Sequence, residues 1–302
     1  MFHVKHSARL RVFHVKHFGK YIEEIGENSI EKKSCRCYNS LTFRNAESEA
    51  NMSRIIAIAN QKGGVGKTTT IINLACALHD RGKRVLVVDY DAQGNCTSGM
   101  GVDKATKPNV YDLLANPELT PETVVKTPYG DLLPSNKAMA GAVVELVGVE
   151  NREYRLKEAL ATVKDRYDYV LIDSPPSLEL LTINALCAAD AVLVPLQCEY
   201  FAMEGLSDLM TTVRMINKKL NPKLEIEGVV LTMYDSRVKL SEQVEKEIRG
   251  YFGARVYDTR IPRNVRVSEA PSHGKPVVKY DRMSKGSRAY LKLASEFLRR
   301  QG

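Results

Sequence analysis

Lys62-Gly63-Gly64-Val65-Gly66-Lys67-Thr68-Thr69 decides the fold. It follows the apolar run Ile55-Ile56-Ala57-Ile58-Ala59 and opens a segment of helical pattern from Thr69 to His79. An apolar strand, a glycine loop and a helix, in that order, make a phosphate-binding loop. Glycine lets the backbone N–H groups close around phosphate oxygens, and the helix N-terminus adds a partial positive charge. Gly63, Gly64, Val65, Gly66, Lys67, Thr68 and Thr69 are therefore the expected triphosphate cradle. Lys67 is expected to bridge the β- and γ-phosphates, and the Thr68 hydroxyl to ligate Mg²⁺.

Outward from the loop, apolar runs alternate with helix-period segments. Val85–Val88, Tyr169–Ile172, Ala191–Val194 and Gly228–Leu231 read as buried strands. Helical patterns run over Arg152–Lys164, Leu178–Ala188, Met203–Lys219, Ser241–Tyr251 and Ser284–Arg300. Continuous apolar strands separated by helices predict an α/β fold, a mostly parallel twisted sheet with helices on both faces. No low-complexity linker interrupts residues 52–302, so one domain is expected there.

The strand ends supply acids. Val85–Val88 runs into Asp89-Tyr90-Asp91, and Val170–Ile172 into Asp173-Ser174-Pro175-Pro176. In a parallel sheet the carboxyl ends of the strands converge on the ligand crevice. Asp173 fits the acid that holds Mg²⁺, directly or through water, and Asp89 and Asp91 are the neighbouring candidates. A single Asp at a strand end is more often a cap; three beside a phosphate loop favour the metal. No guanine-reading [NT]KxD motif follows a strand, which favours ATP over GTP.

The chain has 302 residues, is 44% hydrophobic and carries a net charge of +8. That composition supports a sizeable core, and the basic excess suits a polyanionic partner. No apolar run approaches the ~18–20 residues that span a bilayer. The N-terminus lacks the apolar core and cleavage site of a secretory signal. None of the six cysteines forms a CxxC pair, so reduced, buried thiols are expected.

Lys62, at the start of the loop, refines the picture. KGGVGKTT resembles the deviant phosphate-loop ATPases, the ParA/MinD/nitrogenase-iron-protein group. That resemblance implies that Lys62 reaches across a dimer interface to the partner's nucleotide. Asp89-Tyr90-Asp91-Ala92-Gln93-Gly94-Asn95 is similar to the family's D-x-D-x-Q-G-N motif, with Ala92 where proline is common. The matching aspartate, Asp91, is then the residue that positions the attacking water. Ile261 through Arg266 resembles the adenine-contacting loop, with Pro262 and Asn264 at the matching positions.

Gln197-Cys198-Glu199-Tyr200 and Ile261 through Pro276 narrow the resemblance to the chromosomal ParA, or Soj, branch. It covers the chain from about Ser53 onward. A cycle is implied in which ATP closes a homodimer, the dimer binds DNA without sequence preference, and a ParB-type centromere-binding protein stimulates hydrolysis. Arg237 and Arg266 match DNA-contacting positions, with Lys218, Lys219, Arg263 and Lys275 as weaker candidates. A cytoplasmic, nucleoid-associated protein is expected.

Residues 1–51 read differently. Phe2-His3-Val4-Lys5-His6 recurs as Phe13-His14-Val15-Lys16-His17, with no hydrophobic period. This predicts disorder, or a mis-assigned start in which translation begins at Met52. Phe-His-Val-Lys can be spelled TTT CAC GTG AAA, which reads identically on both strands and resembles the palindromic site of ParB proteins. A histidine repeat binding metal is the other reading.

Two rivals remain. A MinD-like membrane-associated positioning ATPase would need a basic amphipathic C-terminal helix, for which Tyr290–Arg300 is the candidate. A nitrogenase-iron-protein-like reductase would need two cluster cysteines, and only Cys96 lies near the nucleotide loops.

Overall fold

Alternate residues of each central strand enter different cores. In the computed structural model, which describes residues 53–177 and 179–302, Ile55 and Ala57 join Leu86, Val88, Val170 and Ile172 in one apolar cluster. Ile56 and Ile58 join Val85, Val87 and Leu171 in a second. Side chains on a strand alternate with a period of two, so a strand buried on both faces must be apolar throughout. That is why the strands are continuous hydrophobic runs in sequence.

Six strands form the sheet: β1 (Arg54–Ile58), β2 (Val85–Asp89), β3 (Asp131–Leu133), β4 (Tyr169–Asp173), β5 (Ala191–Gln197) and β6 (Glu225–Thr232). Their order is β3-β2-β4-β1-β5-β6, and every neighbouring pair is parallel. The expected α/β architecture is present. The second cluster is covered by α1 (Lys67–His79), through Ile71, Leu74 and Leu78. The first is covered by α3 (Leu180–Ala188), α4 (Ala202–Lys219) and α5 (Lys239–Phe252), with α2 (Asn95–Gly99) lying at the carboxyl end of β2.

Two further helices bear on the site: the short α6 (Val265–Glu269) and the terminal α7 (Lys285–Gln301). Tyr290, Leu293 and Phe297 of α7 are buried in the cluster beneath α1. The apolar stripe that a membrane helix would need is thus spent on the core. Among the described residues, no helix is long and apolar enough to cross a membrane.

Some elements depart from expectation. The helix anticipated over Arg152–Lys164 is broken into a 3₁₀ turn at Arg152–Tyr154, an α-helix at Arg155–Ala161 and another 3₁₀ turn at Lys164–Arg166. The β-branched pair Thr162-Val163 follows Ala161, and the Thr162 hydroxyl donates to the Ala159 carbonyl, competing with helix continuation. β3 had no counterpart in the sequence pattern. Beyond β6, the chain runs alongside its free flank: Tyr257 N donates to Val229 O (2.9 Å) and Ile261 N to Leu231 O (2.8 Å). The disorder, start-site and histidine readings of residues 1–51 fall outside the described residues.

Candidate nucleotide site

The loop between β1 and α1 has the backbone its glycines predict. Gly64 (φ 74°) and Gly66 (φ 88°) lie in the left-handed region, and Gly66 caps α1. A side chain at either position would be strained. The Thr232 hydroxyl, at the end of β6, donates to the Val65 carbonyl at 2.7 Å and pins the loop to the sheet. Lys67 is 7% exposed. Its ammonium donates to the carbonyls of Asn60 (3.0 Å) and Lys62 (3.2 Å), so the loop folds around it. Burial lowers the Lys67 pKa, and the charges of Asp173 and Asp91 oppose that fall.

Strand register sets the acids. Asp173 is the Cα partner of Ile58 on one side and of Asp89 on the other, so three adjacent strands end at one level. Asp173 is 1% exposed; neither carboxylate oxygen makes a close hydrogen bond, and the Thr68 hydroxyl is a weak partner. Burial, then the neighbouring Asp89, pushes its pKa well above the usual carboxylate range. The nearby Thr68 hydroxyl and Lys67 ammonium pull it back only in part. A buried carboxylate that is only partly compensated calls for a cation. Carboxylate and hydroxyl oxygens are the donor set of a hard divalent ion, so Asp173 and Thr68 fit Mg²⁺.

Asp89 has a different occupation. Its Oδ2 accepts from the Thr97 backbone N–H (2.7 Å) and hydroxyl (2.6 Å). Burial still raises its pKa to about 6. Ser135 N donates in turn to Thr97 Oγ1 at 2.9 Å, and the Ser135 hydroxyl donates to the Asp91 carbonyl at 2.9 Å. Asp89 therefore anchors the loop that carries Asp91 rather than presenting its own oxygens. Asp91 is half-buried, and its Oδ1 accepts from Gln93 N at 3.0 Å. Thr97 and Ser135 had no signal in the sequence, because a capping hydroxyl looks like any other Thr or Ser.

Lys62 lies at the rim. Its ammonium pairs with Glu199 Oε2 of the same chain. The sequence singled out both residues, in separate motifs, without joining them.

The segment after β6 carries the remaining candidates. Pro262 bridges to Tyr234, and Asn264 Oδ1 accepts from Val267 N at 3.3 Å as the N-cap of α6. Arg237 is 87% exposed and gripped at both ends by Asp235 (2.9 and 2.7 Å). Arg266 on α6 pairs with Glu269 at 2.9 Å and approaches Asp281 at 3.5 Å. Lys218, Lys219, Arg263 and Lys275 are exposed. Arg263 is close enough to Asp235 to lower its pKa, though Arg237 is the main cause. Cys76, Cys96, Cys187 and Cys198 are free and buried, and burial raises Cys76 and Cys198 to about 12.

An AAA-domain family profile matches residues 53–226. The chromosome partitioning protein ParA of Caulobacter vibrioides is 54% identical over 257 residues, covering 83% of this chain and 96% of that one. The sporulation initiation inhibitor Soj of Bacillus subtilis is 55% identical over 248 residues, covering 81% and 98%. Among solved structures, a cobyrinic acid a,c-diamide synthase from Mycobacterium smegmatis with bound ADP and magnesium superposes with a TM-score of 0.73 at 38% identity, covering 83% and 96%. The Pyrococcus furiosus cell division ATPase MinD superposes at 0.67 with 30% identity, covering 82% and 98%.

A parallel sheet with a glycine loop after β1 and acids closing β2 and β4 defines the class, a phosphate-loop nucleotide-binding ATPase. The two curated relatives match along nearly their whole lengths. The chain belongs to the ParA/Soj family of chromosome-partitioning ATPases.

Proposed function

We propose that the chain is an ATP-hydrolysing dimeric switch for chromosome partitioning. In its ATP state it binds DNA without sequence preference, and a ParB-type centromere-binding protein stimulates hydrolysis. The observation that carries the catalytic half is the buried Asp173 carboxylate, only partly compensated by Thr68 and Lys67.

In this reading the N–H groups from Gly63 to Thr69 hold the phosphates, and Lys67 neutralises them. Thr68, Asp173 and Asp91 hold Mg²⁺, which supplies positive charge against the transferring phosphoryl group. Asp91 orients the attacking water, and Lys62 reaches the partner's nucleotide. Pro262 and Asn264 contact adenine. Arg237 and Arg266, with Lys218, Lys219, Arg263 and Lys275 as lesser contributors, meet DNA phosphates on the dimer. The protein then works in the cytoplasm on the nucleoid. Because phosphoryl transfer depends on positioning and charge, a cation delivered by a second copy makes hydrolysis contingent on pairing.

ATP turnover measured alone, with DNA, and with DNA plus the cognate ParB protein tests this. Strong stimulation by the last combination is expected. Equal turnover in all three rejects the switch. Co-sedimentation with liposomes but not DNA in ATP would install the MinD-like alternative.

A further inference from the structure

Lys62 and Glu199, 137 residues apart in sequence, meet as an ion pair on the rim of the phosphate loop. Each end is built in. The Lys62 backbone N–H donates to Asn60 Oδ1 at 3.0 Å, and its carbonyl accepts from Lys67. Glu199 sits on the turn after β5, where its backbone N–H donates to the Gln197 carbonyl at 2.8 Å. Its carboxylate is divided: Oε2 takes Lys62, and Oε1 accepts from the Gln197 side-chain amide. The next residues, Tyr200 and Phe201, are exposed aromatics stacked edge to face at 4.9 Å. An apolar pair on the same rim as a parked cation suits a face that a second copy covers.

We propose that Glu199 is a positioning residue that parks the Lys62 ammonium in cis, and that pairing of two copies requires Lys62 to exchange Glu199 for the partner's triphosphate. This rests on the dimeric switch proposed above. The Lys62 and Glu199 side chains are 37% and 44% exposed, so the pair holds weakly. An ion pair of this kind shifts an equilibrium by roughly two- to fivefold. Each dimer breaks two such pairs, so the effects multiply to about tenfold in the dimer dissociation constant. A triphosphate outcompetes a single carboxylate for the ammonium because it concentrates more negative charge at one place. Losing the terminal phosphate weakens that competition and returns Lys62 to Glu199. The parked state thereby raises the nucleotide threshold for pairing and speeds the return to monomer.

The test uses the full chain with Asp91→Ala to block hydrolysis, and sedimentation equilibrium in ATP and Mg²⁺. Adding Glu199→Gln is expected to tighten the dimer about tenfold at low salt, with the gain vanishing near ~1 M salt, where charges are screened within about 3 Å. Glu199→Asp, which keeps the charge, is expected to stay near the parent. A Glu199→Gln dimer equal to or weaker than the parent overturns the proposal and makes Glu199 a bystander or a dimer contact. If the Asp91→Ala parent never pairs, the dimeric switch fails. The parking is then judged by a urea-unfolding cycle of Lys62→Ala, Glu199→Gln and both, without nucleotide. A two- to fivefold coupling supports it, and no coupling overturns it.

Discussion

Asp89 and Asp173 stand opposite one another at the ends of adjacent parallel strands; Asp89 is closely hydrogen-bonded, whereas Asp173 has only the weaker approach of the Thr68 hydroxyl. The two carboxylates have the same residue type, register and depth. Thr97 makes one a structural anchor and leaves the other for a cation. Each is also pushed toward protonation by burial first, with the other's charge adding to the effect on Asp173.

Replacing Asp173 by Asn removes a buried carboxylate whose ionised form is disfavoured by burial and only partly compensated by Thr68 and Lys67. Asp173→Asn is expected to stabilise the nucleotide-free protein by about 1–3 kcal/mol in urea unfolding. It is also expected to lower Mg²⁺-dependent ADP affinity more than about tenfold by titration calorimetry. Unchanged stability would mean that the carboxylate is already satisfied.

The pH dependence has a definite sign. Asp89 binds its proton up to about 6 in the folded chain, against 3.8 as a free side chain. The folded state therefore holds protons that the unfolded state has released, and stability falls as pH climbs through that interval. Asp173 acts in the same direction. Burial alone would raise Glu245 and Glu296, but hydrogen bonds from Arg260 and Thr259 win and keep both below the ordinary value, so their opposite contribution lies at lower pH. Urea midpoints without nucleotide are expected to be higher at pH 5 than at pH 7. Saturating Mg²⁺ and ADP should flatten that slope, because a bound cation favours the ionised Asp173.

Thr97→Val keeps the shape and deletes the hydroxyl shared by Asp89 and Ser135 N. The loss of two buried hydrogen bonds is expected to cost about 2–4 kcal/mol. Because this network holds the loop of Asp91, ATP turnover should fall further than ADP affinity does. A proportional fall in both would separate Thr97 from the hydrolytic loop.

At Gly286 a Cβ would sit 2.2 Å from Val267 Cγ2 and 3.4 Å from the Asn264 side chain. Gly286→Ala is expected to push α6 away from α7 and to cost about 1–3 kcal/mol. Since α6 carries Arg266 and is capped by Asn264, DNA retention and nucleotide affinity should fall together. Retention of both, measured by co-sedimentation and calorimetry, would count against a role for this segment.

Arg237→Ala and Arg266→Ala each delete one candidate phosphate-binding cation per copy. Binding to unrelated DNA sequences should weaken equally, with the log–log salt slope falling by about one for each phosphate no longer neutralised. A slope that does not change takes that arginine off the DNA surface.

The strands were legible because burial on both faces leaves no polar position to blur them: Val85–Val88 and Ala191–Val194 are unbroken apolar runs. The glycine loop was legible because its backbone demands particular residues at fixed spacing. β3 was not, since three residues have no period to detect, and only pairing with Leu86 and Val88 makes Leu133 and its neighbours a strand. The site divides in the same way. Lys67 and Asp173 follow from local order, whereas the Thr97–Asp89 anchor and the Lys62–Glu199 pair exist only through tertiary proximity.

The stretch from Val256 to Pro262 has two obligations. It closes the flank of β6 through bridges at Val229 and Tyr234, and it leads directly into Asn264 and α6. An unsealed flank would offer its amides and carbonyls to any passing chain. Sequence drift in this stretch is therefore constrained by solubility as well as by ligand recognition. Variants that loosen it should first betray themselves by clumping during expression, before any defect in catalysis can be measured.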